Sequence, residues 1–295
     1  MQSFDGRDIA ARLPASVEVT PRQAIGFAEL PGLFPVGTRV YIPDIGVDTA
    51  TMTRAARRIG DLGYAAVPHV AARRLTSRAA LRDRVRALAE EAGIRDVLVV
   101  GGDRDTPAGE FSSSMEVIGT GLFDLFGIGE IAIAGHPEGC SAFPDAVAVE
   151  ALRLKAAFGA RTGARLRIVT QFGFDAGRIV GWAQALHDLG IDLPVHVGVA
   201  GPATMATLAR YAAMCGVGNS LSMLRKRAGA FATLMSRFSP ETVTEPVERH
   251  VAATPGSPIV QFHAFPFGGL GRTARWLRER GSWPAETAPD AVAAG

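Results

Sequence analysis

Cysteine is scarce in this chain. Cys140 and Cys215 lie far apart and make no CxxC or zinc-ligand spacing, so a disulfide framework and a thiolate metal site are both excluded. A reducing cytoplasm is the expected compartment. No window reaches the roughly 18 uninterrupted apolar residues of a membrane helix. The start, MQSFDGRDIAARLP, lacks the basic-then-apolar order of a secretory leader. Excess charge is missing too: 31 Lys+Arg stand against 29 Asp+Glu. The basic residues are almost all arginine, scattered among acids, which gives no nucleic-acid footprint. Their densest run, 73–86 (RRLTSRAALRDRVR), reads as the solvated face of a helix. No GxSxG elbow marks a hydrolase serine, and no GxGxxG follows the first strand.

What is present is a repeat of short apolar, β-branched runs. Strands are predicted near 16–19, 38–42, 64–67, 96–100, 131–134, 166–170, 194–198 and 258–263. Helical patterns lie between them, for example at 48–60, 79–92, 144–160, 176–189 and 202–214. Several open on a capping residue such as Asp48 or Ser77, or close before a glycine such as Gly93 or Gly190. Apolar strands alternating with helices predict a parallel sheet covered on its faces. Eight units in about 250 residues is the arithmetic of a closed (β/α)8 barrel. No linker composition interrupts the chain, so residues 1–283 are expected to form a single barrel domain and 284–295 a loose tail. The stretch 216–257 has room for two helices.

In such barrels the reactive groups sit where strands end and the βα-loops converge. The polar residues at the predicted strand ends are Glu18, Asp44, His69, Gly102-Asp103, His136, Glu138, Thr170, Gln171 and His263. A carboxylate inside a short apolar strand costs several kcal/mol unless it has a partner or a task, which singles out Glu18. The others have ordinary alternatives: Asp103 as a helix cap, His69 and His136-Pro137-Glu138 as turns, Gln171 as a loop-backbone partner. Asp103-Arg104-Asp105, with no histidine nearby, is a poor metal-ligand set, and no metal is expected.

In order along the chain, SVEVTP (16–21), VPHVAARRLT (67–76), VLVVGGDRDTP (97–107), IAIAGHPEG (131–139), VEALRLKAAFGA (149–160), VTQFGFD (169–175), GVAGP (198–202) and QFHAFPFG (261–268) resemble the flavin-dependent methylenetetrahydrofolate reductases. The resemblance spans almost the whole chain. It implies FAD as cofactor, NADH or NADPH as reductant, and a folate as substrate, with no nucleic-acid or membrane partner and with self-association left open. The implied reaction is reduction of 5,10-methylenetetrahydrofolate to 5-methyltetrahydrofolate by ping-pong transfer through the flavin, in one-carbon metabolism and methionine synthesis. By the same resemblance Glu18 is the acid that assists ring opening, and Asp103 and Gln171 bind the pterin. His69, Gly102, Asp103 and His136 match flavin-contacting positions, and Lys155 matches a helix lysine near the cofactor phosphates. The chain departs from the usual pattern at Pro43, Gly101, His136 and Cys140. The competing classes are a flavin-free folate-dependent methyltransferase and a non-catalytic folate- or flavin-binding homologue.

An acid suits the first step because a departing ring nitrogen needs a proton. A carboxyl in an apolar setting holds that proton near neutral pH.

Overall fold

A computed structural model of the chain describes residues 12–214 and 237–285. Eight parallel strands close on themselves in sequence order: β1 (Ala15–Glu18), β2 (Arg39–Ile42), β3 (Ala65–Ala71), β4 (Asp96–Val100), β5 (Glu130–Gly135), β6 (Arg165–Phe172), β7 (Val195–Ala200) and β8 (Ile259–Phe265). β1 pairs with β2 on one side and β8 on the other, through Glu18↔Tyr41 and Ser16↔His263. The (β/α)8 expectation is met.

Helices form where the sequence supplies caps and a one-sided apolar face. α1 (Pro21–Gly26) opens on a capping box, Thr20 with Gln23, and α2 (Thr49–Asp61) opens on Asp48. α3 (Arg78–Arg86) opens on Ser77 and widens into a π turn at Ala87–Glu91. Two short helices, α4 (Ser114–Ile118) and α5 (Leu122–Leu125), follow β4, and α6 (Asp145–Thr162) follows β5. α7 (Ala176–Asp188) and α8 (Met205–Met214) follow β6 and β7. Of the stretch expected to hold two helices, one is described, Glu241–Ala253; the rest lies outside the described residues. The helix Leu270–Glu279 completes the outer ring. The tail from 286 is likewise outside the described residues, and none of the described helices is long and apolar enough to cross a membrane.

Several strands run past their expected ends, and two of these extensions bear on the site. β3 runs on through Pro68 to Ala71, with Pro68 opposite Ile42, so His69 lies within the strand rather than in a turn. The fixed φ of proline is compatible with an extended strand, and only its missing N–H is lost to the ladder. β6 likewise includes Gln171.

Outward-facing strand residues such as Val17, Val40, Val97, Ile133 and Ile168 are buried against the helices in the main core. Inside the barrel, Tyr41, Val67, Leu98, Ala132 and Val169 form a separate apolar layer. Beneath it, at the N-terminal ends of the strands, lies a ring of charge. Arg167 Nη2 donates to both Asp96 oxygens (2.8 and 2.9 Å), and its Nε donates to the Tyr41 hydroxyl (3.0 Å). Arg39 reaches Asp96 (3.3 Å) and Glu130 (3.2 Å), and Arg165 also holds Glu130 (3.0 Å). Burial pushes the Tyr41 hydroxyl up to about 12 and raises the Asp96 carboxyl, the latter against the pull of Arg167. This floor is polar but paired.

Candidate active site

At the other end of the barrel the apolar layer gives way to Glu18 and His69. Glu18 is the last residue of β1 and keeps 21% of its side chain exposed toward the mouth. Burial raises its carboxyl to about 7. No arginine or lysine lies within ion-pair distance of Glu18 among the described residues, so nothing there favours the carboxylate.

His69 is 9% exposed, and burial lowers its imidazole to about 3, so it is neutral at physiological pH. Its Nε2 lies 4.0 Å from Glu18 Oε2 and has no hydrogen-bond partner among the described residues. The ring stands edge-on to Tyr41 at 6.1 Å, and Tyr41 in turn packs against His263 at 4.5 Å. His263 Nδ1 is bonded to the Ser16 hydroxyl at 3.0 Å. Glu18 and His69 are therefore brought together over a floor of buried, satisfied rings.

A second pair forms after β5. Lys155 sits on α6 and is 6% exposed, and no acid pairs with it among the described residues. Burial lowers its ammonium to about 8. His136, just past β5, packs edge-on against Phe143 at 5.2 Å. Burial and the Lys155 charge together lower its imidazole. A buried cation without a counter-ion is a place for a ligand anion.

Asp103 stands apart. Its side chain is 71% exposed and held by Arg74, with Nε–Oδ1 at 3.0 Å and Nη2–Oδ2 at 2.7 Å. It lies on the rim of the mouth rather than beside Glu18. The preceding Gly102 has φ +97°, and a Cβ there would meet the Ala71 methyl at 3.3 Å, so only glycine fits this turn. Gln171, half-buried near the end of β6, accepts the Phe172 N–H on its Oε1 at 3.1 Å. The backbone beside it is tightly approached: a Cβ on Gly198 would lie 2.4 Å from the Thr170 carbonyl oxygen.

Of three other residues expected at strand ends, two hold loops and the third, Thr170, lies within β6 and holds β7. Asp44 is buried against Arg84, at 2.5 Å. Glu138 accepts the Phe174 and Asp175 N–H groups, at 2.6 and 2.8 Å, which joins two βα-loops. Thr170 accepts the Gly198 N–H at 2.8 Å. The arginine run 73–86 is correspondingly not all solvated. Arg84 is buried on Asp44 and Val47, and Arg73 ties down the loop after β4 through the Ser112 and Arg104 carbonyls.

The mouth also has an aromatic wall that reasoning from strand ends missed. Phe172, Phe174, Phe265 and Phe267 cluster at the ends of β6 and β8, and Tyr211 stacks on Phe267 at 4.2 Å. The signal in the sequence is the alternation of phenylalanine in QFHAFPFG. A surface depression lined by Arg153, Gly159, Leu166, Ile191 and Leu193 lies at the opposite end of the barrel, away from these groups.

Fold and site together define a (β/α)8 barrel that gathers Glu18, His69, His136 and Lys155 toward the C-terminal ends of its strands, where such barrels carry their active sites. The family model of methylenetetrahydrofolate reductase matches residues 41–226, more than half of the 295. The chain belongs to that family. The matched range holds His69, Gly102, Asp103, His136, Lys155 and Gln171, while Glu18 and the β8 residues lie outside it. Among solved structures, dihydropteroate synthase from Thermus thermophilus is similar at 14% identity and a TM-score of 0.44, over 91% of this chain and 93% of that one. The spore coat polysaccharide biosynthesis protein spsE of Bacillus subtilis is similar at 10% identity and a TM-score of 0.33, over 94% and 72%. Likenesses this distant carry no functional weight, and the barrel assignment rests on the closed strand order itself. Family membership supports an oxidoreductase acting on a folate.

Proposed function

We propose that the protein reduces 5,10-methylenetetrahydrofolate to 5-methyltetrahydrofolate, using FAD and a reduced nicotinamide that take turns at the mouth of the barrel. The observation that carries this reading is Glu18. It is a carboxyl raised to about 7 by burial, without a cationic partner among the described residues, at the end of a barrel strand.

The residues present fit a flavin dinucleotide. Lys155, a buried cation without an acid partner among the described residues, suits the diphosphate. His69 and His136 would line the same site as neutral imidazoles. Bound flavin would supply the two-electron chemistry, taking reducing equivalents from nicotinamide and passing them to the folate.

The remaining work falls to the chain. Near neutral pH Glu18 carries a proton, which it gives to the folate nitrogen that departs as the five-membered ring opens: the Glu18 O–H bond breaks and an N–H bond forms. Gln171 can donate and accept at once, matching the mixed edge of a pterin. Asp103 would take the pterin's amino-bearing edge by charge-assisted hydrogen bonds, in exchange for its present contact with Arg74. The half-buried rings of Phe265 and Phe267 offer planar apolar surface to the rest of the substrate.

The test is the chromophore and the turnover together. Purified protein should show an oxidised-flavin spectrum and release FAD on denaturation. NADH or NADPH should bleach that spectrum, and methylenetetrahydrofolate should restore it with formation of methyltetrahydrofolate. Recovery of FMN alone, failure of added FAD to bind, or methyl transfer without flavin would defeat the proposal.

A further inference from the structure

The Nε2 of His69 is a buried polar atom without a partner among the described residues, and buried polar atoms are rarely left so. The closest acid to it is Glu18, whose Oε2 is 4.0 Å away, about one ångström beyond hydrogen-bond length. His69 is held in place by position rather than by bonds. It lies in the run of β3 that continues past Pro68, paired with Leu98 of β4, and packs edge-on against Tyr41.

The groups around Glu18 leave His69 as its available partner. Tyr41, opposite it on β2, uses its hydroxyl to accept from Arg167 beneath the apolar layer. On β8, His263 is bonded to Ser16, the other residue of β1 named in this network. Arg167 and Arg39 are committed to Asp96 and Glu130 in the floor. His196, also buried and held neutral, stands on β7 close enough to feel Arg167 and Arg39.

Resting on the proposed role of Glu18, we propose that His69 is the positioning residue for that acid: its Nε2–H donates to Glu18 Oε2 and leaves the other carboxyl oxygen to carry the proton toward the substrate. No proton passes between the two. When Glu18 gives up its proton, the electron pair of the broken O–H bond stays on the carboxylate. The same Nε2–H then stabilises that charge in a place with no arginine or lysine within ion-pair distance among the described residues. A neutral imidazole is suited to this, since an imidazolium would ionise the acid in advance and waste it.

The experiment reads Glu18 directly, without requiring turnover. Protein carrying [δ-13C]glutamate is titrated by carbon NMR, with the Glu18 signal assigned by its loss in Glu18→Gln. His69→Leu keeps bulk and removes the donor, and His69→Gln keeps a side-chain N–H. The Glu18 midpoint should rise by about one pH unit in His69→Leu and stay within a few tenths of wild type in His69→Gln, as expected for a hydrogen bond to the charged form. If His69→Leu does not fold, His69→Met serves as the donor-free variant. A midpoint unmoved without the donor, or moved equally in the glutamine variant, overturns the proposal. If the protein neither binds flavin nor turns over folate, the reductase reading fails while this titration still reports on the pair.

Discussion

The two ends of the barrel are both polar, and they treat charge in opposite ways. At the floor, Arg39, Asp96, Glu130, Arg165 and Arg167 are knitted into a ring in which each charge has at least one partner. At the mouth, half-buried Glu18 and buried Lys155 stand without opposite charges among the described residues, and the imidazoles of His69 and His136 are pushed down by burial. A paired buried charge costs its desolvation and recovers much of it from the partner. An unpaired one recovers nothing until a ligand arrives. Stability is therefore expected to respond at the floor, and binding or chemistry at the mouth.

Cutting the floor should produce the largest effect. Arg167→Ala removes two charge-assisted bonds to Asp96 and one to Tyr41. Asp96 is left with Arg39 alone at 3.3 Å, so unfolding free energy should fall by about 3 kcal/mol, near the lower end for a broken buried pair. Denaturant melts would show it, and a loss below ~1 kcal/mol would mean that water satisfies the ring.

At the mouth, Lys155→Ala should barely change stability yet weaken FAD binding by about 1–2 kcal/mol, the scale of a partly buried charge-assisted contact. An unchanged FAD dissociation constant would leave Lys155 without a ligand role. The pH profile gives a third comparison. In the proposed role Glu18 acts as an acid only while protonated, and its folded value is raised to about 7 from 4.5. The folate half-reaction should therefore be flat below about 7 and fall roughly tenfold per unit above it. The same shift has the opposite sign for stability. The unfolded carboxyl ionises near 4.5 while the folded one holds its proton, so this group weakens the fold progressively as pH rises from 4.5 to about 7. Glu18→Gln should then raise the melting temperature at pH 8 and leave it unchanged at pH 4.

The smallest effect belongs to the rim. Arg74 and Asp103 form a pair whose acid is mostly exposed, so Arg74→Ala should change stability by less than ~1 kcal/mol. Folate affinity should tighten or stay constant, since Asp103 no longer has to leave a partner. A folate dissociation constant weakened tenfold would show instead that Arg74 is needed to aim Asp103.

How far the sequence revealed this contrast depended on the kind of signal. Strand alternation and helix caps such as Asp48 and Ser77 were legible because they are local, and they located the barrel. Glu18 was legible because a carboxylate in SVEV has no ordinary reason to be there. Lys155 was flagged only through the family resemblance. Composition offered its own hint, since it is one of two lysines in a chain that otherwise uses arginine. The floor was not legible, because Arg39, Asp96 and Arg167 meet only when strands 128 residues apart in sequence close into a ring. For the same reason Asp44 and Glu138, which resemble site residues at strand ends, proved to hold loops through Arg84 and the 174–175 backbone. Pairing is a tertiary property, and it separates the charges of the floor from those proposed to act at the mouth.

The central claim is that Glu18 supplies a proton and nothing else. Stopped-flow measurement of the two half-reactions in Glu18→Gln tests it most directly, since glutamine keeps size and hydrogen bonding but has no acidic proton. The variant should bind FAD and be reduced by nicotinamide at nearly the wild-type rate. Its reduced flavin should then be reoxidised by methylenetetrahydrofolate at least ~10²-fold more slowly, the scale of a lost general acid. A variant slowed only in flavin reduction, or one that turns over folate normally, would contradict the account.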